Sequence, residues 1–110
     1  GGARLVVNMT NDAWFGRTAG PWQHLAMYPF RAVEHRVAVV RVANTGVSAF
    51  IAPSGHIGRH TALFERTVIT EPVPLRSRET IYSRFGDWLA YLALGVSGAS
   101  LALRAWRRAA

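Results

Sequence analysis

Along most of the chain short apolar runs alternate with polar punctuation, and in the last quarter the polar positions almost disappear. "RLVVNM" (4–9) is a β-rich run that closes on polar residues, and it predicts a buried strand. Gly20-Pro21 marks a helix start, because proline at the first helical position sacrifices no hydrogen bond. Over residues 21–36, Trp22, Leu25, Ala26, Phe30 and Val33 fit one helical face. Pro29 lies within that stretch and predicts a kink or a division into two helices. "VAVVRVA" (37–43) and "GVSAFIA" (46–52) read as strands by their β-branched content, separated by Asn44-Thr45. The turn Pro53-Ser54-Gly55-His56 predicts that residues 57–63 pair back as a hairpin. "TVITEPVPL" (67–75) reads as a further strand whose prolines put its end at a sheet edge. A strand, a helix and then four strands make an α/β or α+β layered protein, with no internal repeat.

The last quarter changes character. Residues 76–87, "RSRETIYSRFGD", are polar and turn-like, and no charge follows until Arg104. A bilayer needs about 20 apolar residues, within a range of about 17–25. Counted through Trp106, with Arg104 snorkelling to the interface, the segment reaches that length. Trp88 and Tyr91 at one end and Trp106 at the other resemble interfacial aromatic belts. Gly95 with Ala99, and Gly98 with Ala102, give the small-residue spacing that suits close helix packing. The competing reading, a buried helix of a soluble domain, leaves only Ser97 and Ser100 as aliphatic hydroxyls for a solvent face. Arg104, Arg107 and Arg108 favour a cytoplasmic C-terminus, against which Arg76, Arg78 and Arg84 weigh at the other end.

Composition sharpens this picture. With half of its 110 residues hydrophobic and 17% charged, the chain is not a disordered tail, and it amounts to one domain or a piece of one. It opens on Gly rather than Met, which suggests a fragment or a processed product, and "GGARLVVNMTND" is too short an apolar run for a signal peptide. The net charge of +7 rests on arginines spread along the chain, not on the single basic face of a nucleic-acid binder. Zero cysteines exclude a disulfide, a thiolate metal site and a thiol nucleophile within these residues.

Candidate chemistry concentrates in "NMTNDAWFGRTAGPWQH" (8–24), where Asn11 and Asp12 stand beside Trp14 and Phe15. Such a loop either walls an acyl or amide pocket, or simply connects strand to helix, with Asn11 and Asp12 bonding local backbone and Trp14 in the core. Arg31 and Glu34 are spaced for an i,i+3 pair, worth about 0.2–0.5 kcal/mol when exposed. His56 and His60 lie in a turn and a strand without an acidic cluster, so no metal site is expected. His24 reads as a polar residue at a helix start and His35 as a surface residue. Ser48 and Ser54 lack the glycine-flanked elbow of hydrolase nucleophiles.

Taken in order, "NMTNDAWFG", "GPWQHLAM", "FRAVEHR", "VRVANTGVSAFIAPSGHI" and "YSRFGDW" resemble the C-terminal part of the bacterial apolipoprotein N-acyltransferases, over essentially the whole chain. "NDAWFG" followed by "QHL" and "ANTG" is specific, whereas "RAVE" and "APSG" alone would indicate only the wider carbon–nitrogen hydrolase superfamily. The resemblance implies the C-terminal part of a nitrilase-like α-β-β-α sandwich over residues 1–75. A juxtamembrane linker (76–87), a transmembrane helix (88–106) and a basic tail (107–110) would follow. It implies an enzyme of the bacterial inner membrane whose nitrilase-like domain is periplasmic. That enzyme moves an acyl chain from a phospholipid to the N-terminal amine of a diacylglyceryl-cysteine lipoprotein, by a ping-pong mechanism that needs no cofactor. A Cys nucleophile carries the acyl group as a thioester, a Glu acts as base and a Lys stabilises the oxyanion.

None of that trio can be assigned here. The sequence contains neither Cys nor Lys, and Glu34 belongs to the "RAVE" helix rather than to the catalytic base, so the fragment alone is expected to be inactive. What the resemblance carries over is the wall of the pocket: Asn11, Asp12, Ala13, Trp14 and Phe15. Glu34 and the turn Asn44-Thr45-Gly46 take supporting positions. Trp14 and Phe15 are expected on the acyl side, with Asn11 and Asp12 holding the loop in shape. Pro29 and His35 depart from the commoner helix residues and bear only on local helix geometry. A soluble carbon–nitrogen amidase and a membrane-anchored binding module without catalysis are the competing functions. Half of a layered sheet is also expected to expose an unpaired edge and an uncovered apolar face. The reading frame upstream of Gly1 is expected to encode a Cys within a few tens of residues, with Lys and Glu further upstream. Sequencing the locus checks this, and a frame lacking the Cys would overturn it.

Overall fold

The computed structural model describes residues 2–75 and 79–109. Gly1, Ala110 and residues 76–78, where the expected linker begins, lie outside the described residues. Two compact units divide between Thr80 and Ile81. The first contains β1 (Leu5–Asn11), a 3-10 turn (Ala13–Phe15), α1 (Gly20–Leu25), α2 (Tyr28–His35), β2 (Ala38–Asn44), β3 (Ala49–Ile51) and β4 (Ile57–His60). The strands form one mixed sheet in the order β1-β2-β3-β4. β1 runs parallel to β2, and the other neighbours are antiparallel. A parallel pair cannot be joined by a tight turn, and α1 with α2 supplies the crossover.

Pro29 explains why the crossover is two helices. It has no N–H to offer the carbonyl four residues back, and its ring collides with that carbonyl. The residue four back is Leu25, where α1 ends, and Pro29 sits in the first turn of α2, where a donor is not needed. α2 ends with Arg36 in the left-handed region at φ 52°. The Arg36 N–H donates to Val33 O and the Val37 N–H to Ala32 O at 3.3 and 3.2 Å, the paired bonds of a Schellman end that turn the chain into β2. The division also corrects the single helical face expected from sequence. Pro21, Leu25 and Ala32 are buried, whereas Trp22, Ala26, Phe30 and Val33 are exposed: α1 turns its 21/25 row inward rather than its 22/26 row, and α2 buries Ala32.

Leu25, Ala32, Val39, Val47, Ala49 and Ile51 form the core, with Tyr28, Ile57 and Leu63 packed against it. Register puts Val39, Arg41, Ala49 and Ile51 on the sheet face that meets the helices. Gly55 closes the β3–β4 turn at φ 85°, and a Cβ there would come within 2.9 Å of Val33 Cγ2, so only glycine lets α2 lie this close. The opposite face carries Val7, Met9 and Val42, which remain 59%, 81% and 50% exposed. Among the described residues β1 also has no strand on its outer edge.

Two expected strands need correction. The run 57–63 pairs only as far as His60, because Thr61 turns aside and exchanges hydrogen bonds with Ser48, each 3.0 Å long. Residues 67–75 form no strand at all. Pro72 and Pro74 remove ladder donors, and side chains secure the segment instead. Glu71 accepts the Arg59 N–H at 3.1 Å, and Arg4 Nε donates to Leu75 O at 2.9 Å. A cleft of about 670 Å³ separates residues 64–69 from Val40, Val42 and Phe50.

The second unit holds α3 (Ile81–Phe85), a short helix within the stretch read as turn-like, and α4 (Trp88–Ala109). α4 has 22 residues, longer than the expected 88–106, and is long and apolar enough to cross a membrane by length and composition. Placing lysine on the open sheet face, as Met9→Lys with Val42→Lys, is expected to raise the soluble fraction of expressed residues 1–80. Val39→Lys on the covered face is expected to lower it, and fractionation of the lysate checks both.

Candidate functional site

β1 and β2 are parallel and in register, so Asn11 and Asn44 stand side by side at their carboxyl ends. Open α/β sheets gather ligands at such ends, where the strand-following loops converge. The two loops here are the 3-10 turn after Asn11 and the turn Thr45-Gly46 after Asn44. Asn11 Oδ1 accepts the Ala13 N–H at 3.1 Å, an Asx turn that starts the loop, and Asn44 Nδ2 at 3.4 Å. Asp12 N–H donates to Asn44 O at 3.2 Å, and Phe15 N–H to Asp12 O at 3.0 Å.

Behind this rim lies a closed polar ring. Asp12 and Arg41 are each only 1% exposed, yet both carry charge. Arg41 Nη2 donates to Asp12 Oδ2 at 2.7 Å, and Arg41 Nη1 donates to Val47 O. Nε has no hydrogen-bond acceptor among the described residues, but the Tyr28 ring centre lies 5.1 Å from the guanidinium carbon. His24 Nδ1 stands 2.9 Å from Asp12 Oδ1, where the carboxylate can only accept, and 3.1 Å from Arg41 Nη2, and the Tyr28 hydroxyl stands 3.4 Å from His24 Nε2. Thr10 Oγ1 reaches Asp12 Oδ1 at 3.5 Å. The circuit Asp12–His24–Tyr28–Arg41 therefore ties the end of β1 to both helices and to β2.

Burial by itself pushes the Asp12 carboxyl up, but hydrogen bonds from Arg41 and His24, and then their charges, outweigh it, and its pKa lies below the ordinary value. Gly46 completes the enclosure. A Cβ at that position would stand 2.8 Å from Asp12 Cβ and closer still to Oδ2, so no larger residue fits against the carboxylate.

The rim presents different residues to solvent. Trp14 is 81% exposed, which excludes the core position that the connecting-loop alternative gave it. Phe15 folds back with its ring over Gly20 and 6.1 Å from the His24 ring. Arg17 stacks on Phe64 at 4.7 Å and links the loop to residues beyond β4. Of the residues expected at the site, Asn11, Asp12, Asn44 and Gly46 converge, and Ala13, Trp14 and Phe15 ride on the loop they support. Thr45 adopts φ 61° and bonds Asn44 O through its hydroxyl at 2.7 Å. Glu34 lies elsewhere, paired with Arg31 at 3.0 Å on α2. His24 corrects its expected role as a helix-start polar residue. His24, Tyr28 and Arg41 were all absent from the expected site. The missed signal is an arginine in the centre of "VAVVRVA", since a buried guanidinium demands an anion.

This arrangement holds a loop and presents an aromatic wall beside it. A family model described as carbon–nitrogen hydrolase matches residues 1–82, and the chain belongs to that family. Its relatives narrow the likeness. It is 49% identical over 97% of its length to the apolipoprotein N-acyltransferase of Geobacter metallireducens, and 38% identical over the same share to that of Chlorobaculum tepidum. The enzyme of that name from Rhodopseudomonas palustris is 44% identical over 74% of the chain. The chain spans about a fifth of the first two relatives and 15% of the third.

Asp12→Asn leaves the Arg41 charge buried without its counter-ion, and the expected cost is about 3–5 kcal/mol. Because the folded-state pKa of Asp12 is lowered, the stabilisation from its ionised form is complete above the ordinary carboxylate pKa and is lost as pH falls through the folded value. Denaturant unfolding from neutral into acid pH checks this, with Asp12→Asn expected to show the smaller acid loss.

Proposed function

We propose that the chain is the C-terminal part of a membrane-bound N-acyltransferase of lipoprotein maturation, the activity that its relatives' names state. The observation that carries this reading is similarity to enzymes of that name over 97% of the chain, including the apolar α4. The acyl donor is a phospholipid and the acceptor is the N-terminal amine of a diacylglyceryl-cysteine lipoprotein. Residues 88–106 cross the inner membrane, residues 76–87 join them to the layered domain, and the basic tail 107–110 lies in the cytoplasm. The layered domain, residues 1–75, then faces the periplasm.

In this reading the thioester-forming Cys, the Glu base and the oxyanion-stabilising Lys come from upstream sequence, and this segment supplies the wall of the acyl pocket. The exposure of Trp14 supports a role in contacting an apolar chain, since an indole on a fixed loop gives large contact area at low entropic cost. Asn11 and Asp12 hold that loop, and Asn44, Thr45 and Gly46 support it from the neighbouring strand. Glu34, paired with Arg31, supports the helix behind it.

The full-length protein, extracted from membranes with detergent, is expected to transfer a labelled acyl group from phospholipid to a diacylglyceryl-cysteine peptide. The fragment 1–110 alone is expected to transfer none. Recovery of the full-length protein in the aqueous fraction without detergent, with hydrolysis of small amides in place of acyl transfer, would overturn the proposal in favour of a soluble amidase.

A further inference from the structure

Trp14 combines two properties that seldom coincide: its side chain is 81% exposed, and its backbone is fixed on both sides. Asn11 Oδ1 takes the Ala13 N–H at 3.1 Å and Asp12 O takes the Phe15 N–H at 3.0 Å, so both bracketing amides bond to the end of β1. Asp12 is thus the hinge residue of the loop. Its N–H completes the pairing with Asn44 O, its carbonyl caps the 3-10 turn, and its carboxylate is gripped from behind by Arg41 and His24. Gly46 leaves it no room to shift toward β2.

The two grips differ. Arg41 is wholly buried and tied to Val47 O, so its removal would unfold the sheet locally. His24 is the outer member, its side chain 29% exposed, and its ring also faces Phe15 at 6.1 Å. Losing His24 would leave Asp12 Oδ1 only the long 3.5 Å contact from Thr10 Oγ1 and would bare the face on which Phe15 rests, with the Arg41 bond to Oδ2 still in place. We infer that Asp12, His24 and Arg41 act as positioning residues for acyl-donor binding, with His24 setting the pose of the loop that carries Trp14 and Phe15. The acyl-donor part rests on the proposed acyltransferase function; the control of the loop by His24 does not.

The test uses the full-length protein in detergent with His24→Ala and His24→Asn, because an Asn amide can present an N–H where Nδ1 stood. His24→Ala is expected to raise KM for the phospholipid donor about tenfold while kcat changes far less, as for a lost contact that serves binding rather than chemistry. His24→Asn is expected to recover most of that KM. Amide hydrogen exchange of residues 13–16 is expected to quicken in His24→Ala and slow again in His24→Asn, with β2 amides unaltered. An unchanged donor KM in a folded His24→Ala protein, or no recovery in His24→Asn, overturns the positioning of donor binding. If the unaltered protein transfers no acyl group, the acyltransferase reading and the donor role fall together. Exchange then decides the control of the loop: quickening with rescue sustains it, and unchanged exchange overturns it.

Discussion

The buried ion pair between Asp12 and Arg41 is the constraint to which the surrounding structure conforms. Taking two charges out of water costs several kcal/mol per ion, and their attraction offsets this only with good geometry and occupied acceptors. Those demands account for much of the local architecture. Gly46 is small because the carboxylate occupies the space beside it, and Val47 turns its carbonyl inward to take a guanidinium N–H. His24 occupies the second carboxylate oxygen, and Tyr28 lies beneath the guanidinium. The pair also fixes registry between neighbouring strands. Were β2 to slip by one residue, Arg41 would point to the open face of the sheet, and the carboxylate would be left alone in the interior.

Among the described residues, helices cover one face of the sheet only. Helices cover Val39 and Ile51, whereas Val7, Met9 and Val42 face outward, although mixed and parallel sheets of α/β proteins bury both faces. The chain spans about a fifth of the length of its first two relatives, so a cover drawn from outside these residues accords with the sandwich that the family resemblance implies. α4 is a second apolar surface, but of another kind. It is a single helix, long and apolar enough to cross a membrane by length and composition.

Much of this was legible in the sequence for reasons that are local. Pro29 specified the helix division, Pro53 to His56 the hairpin turn, and the uncharged run after Asp87 a long helix. The loop motif pointed to the carboxyl edge of β1. What escaped was settled by contacts distant in sequence. The helical face is not legible because α1 is too short for its periodicity to separate the 21/25 row from the 22/26 row, and Pro29 then starts a second helix. The strand expected at 67–75 had the composition of a strand but, with Pro72 and Pro74, not the donors for a ladder. The role of His24 is not legible in sequence because its partner stands twelve positions earlier, and only the fold brings the two together. Arg41 is the exception, since its hydrophobic neighbours in "VAVVRVA" already imply an interior position.

The separation of the ion pair has a kinetic consequence. Parallel strands ordinarily form slowly, because a long crossover must be ordered before any contact rewards it. Here the partners are 29 residues apart, for which loop closure costs about 3 kcal/mol beyond a constant. Arg41 meeting Asp12 joins the ends of that loop, sets the strand register and traps α1 and α2 between them. The same contact that shapes the rim thus closes the crossover loop of the parallel pair, and a substitution that weakens it slows folding only in so far as the loop is already closed in the transition state.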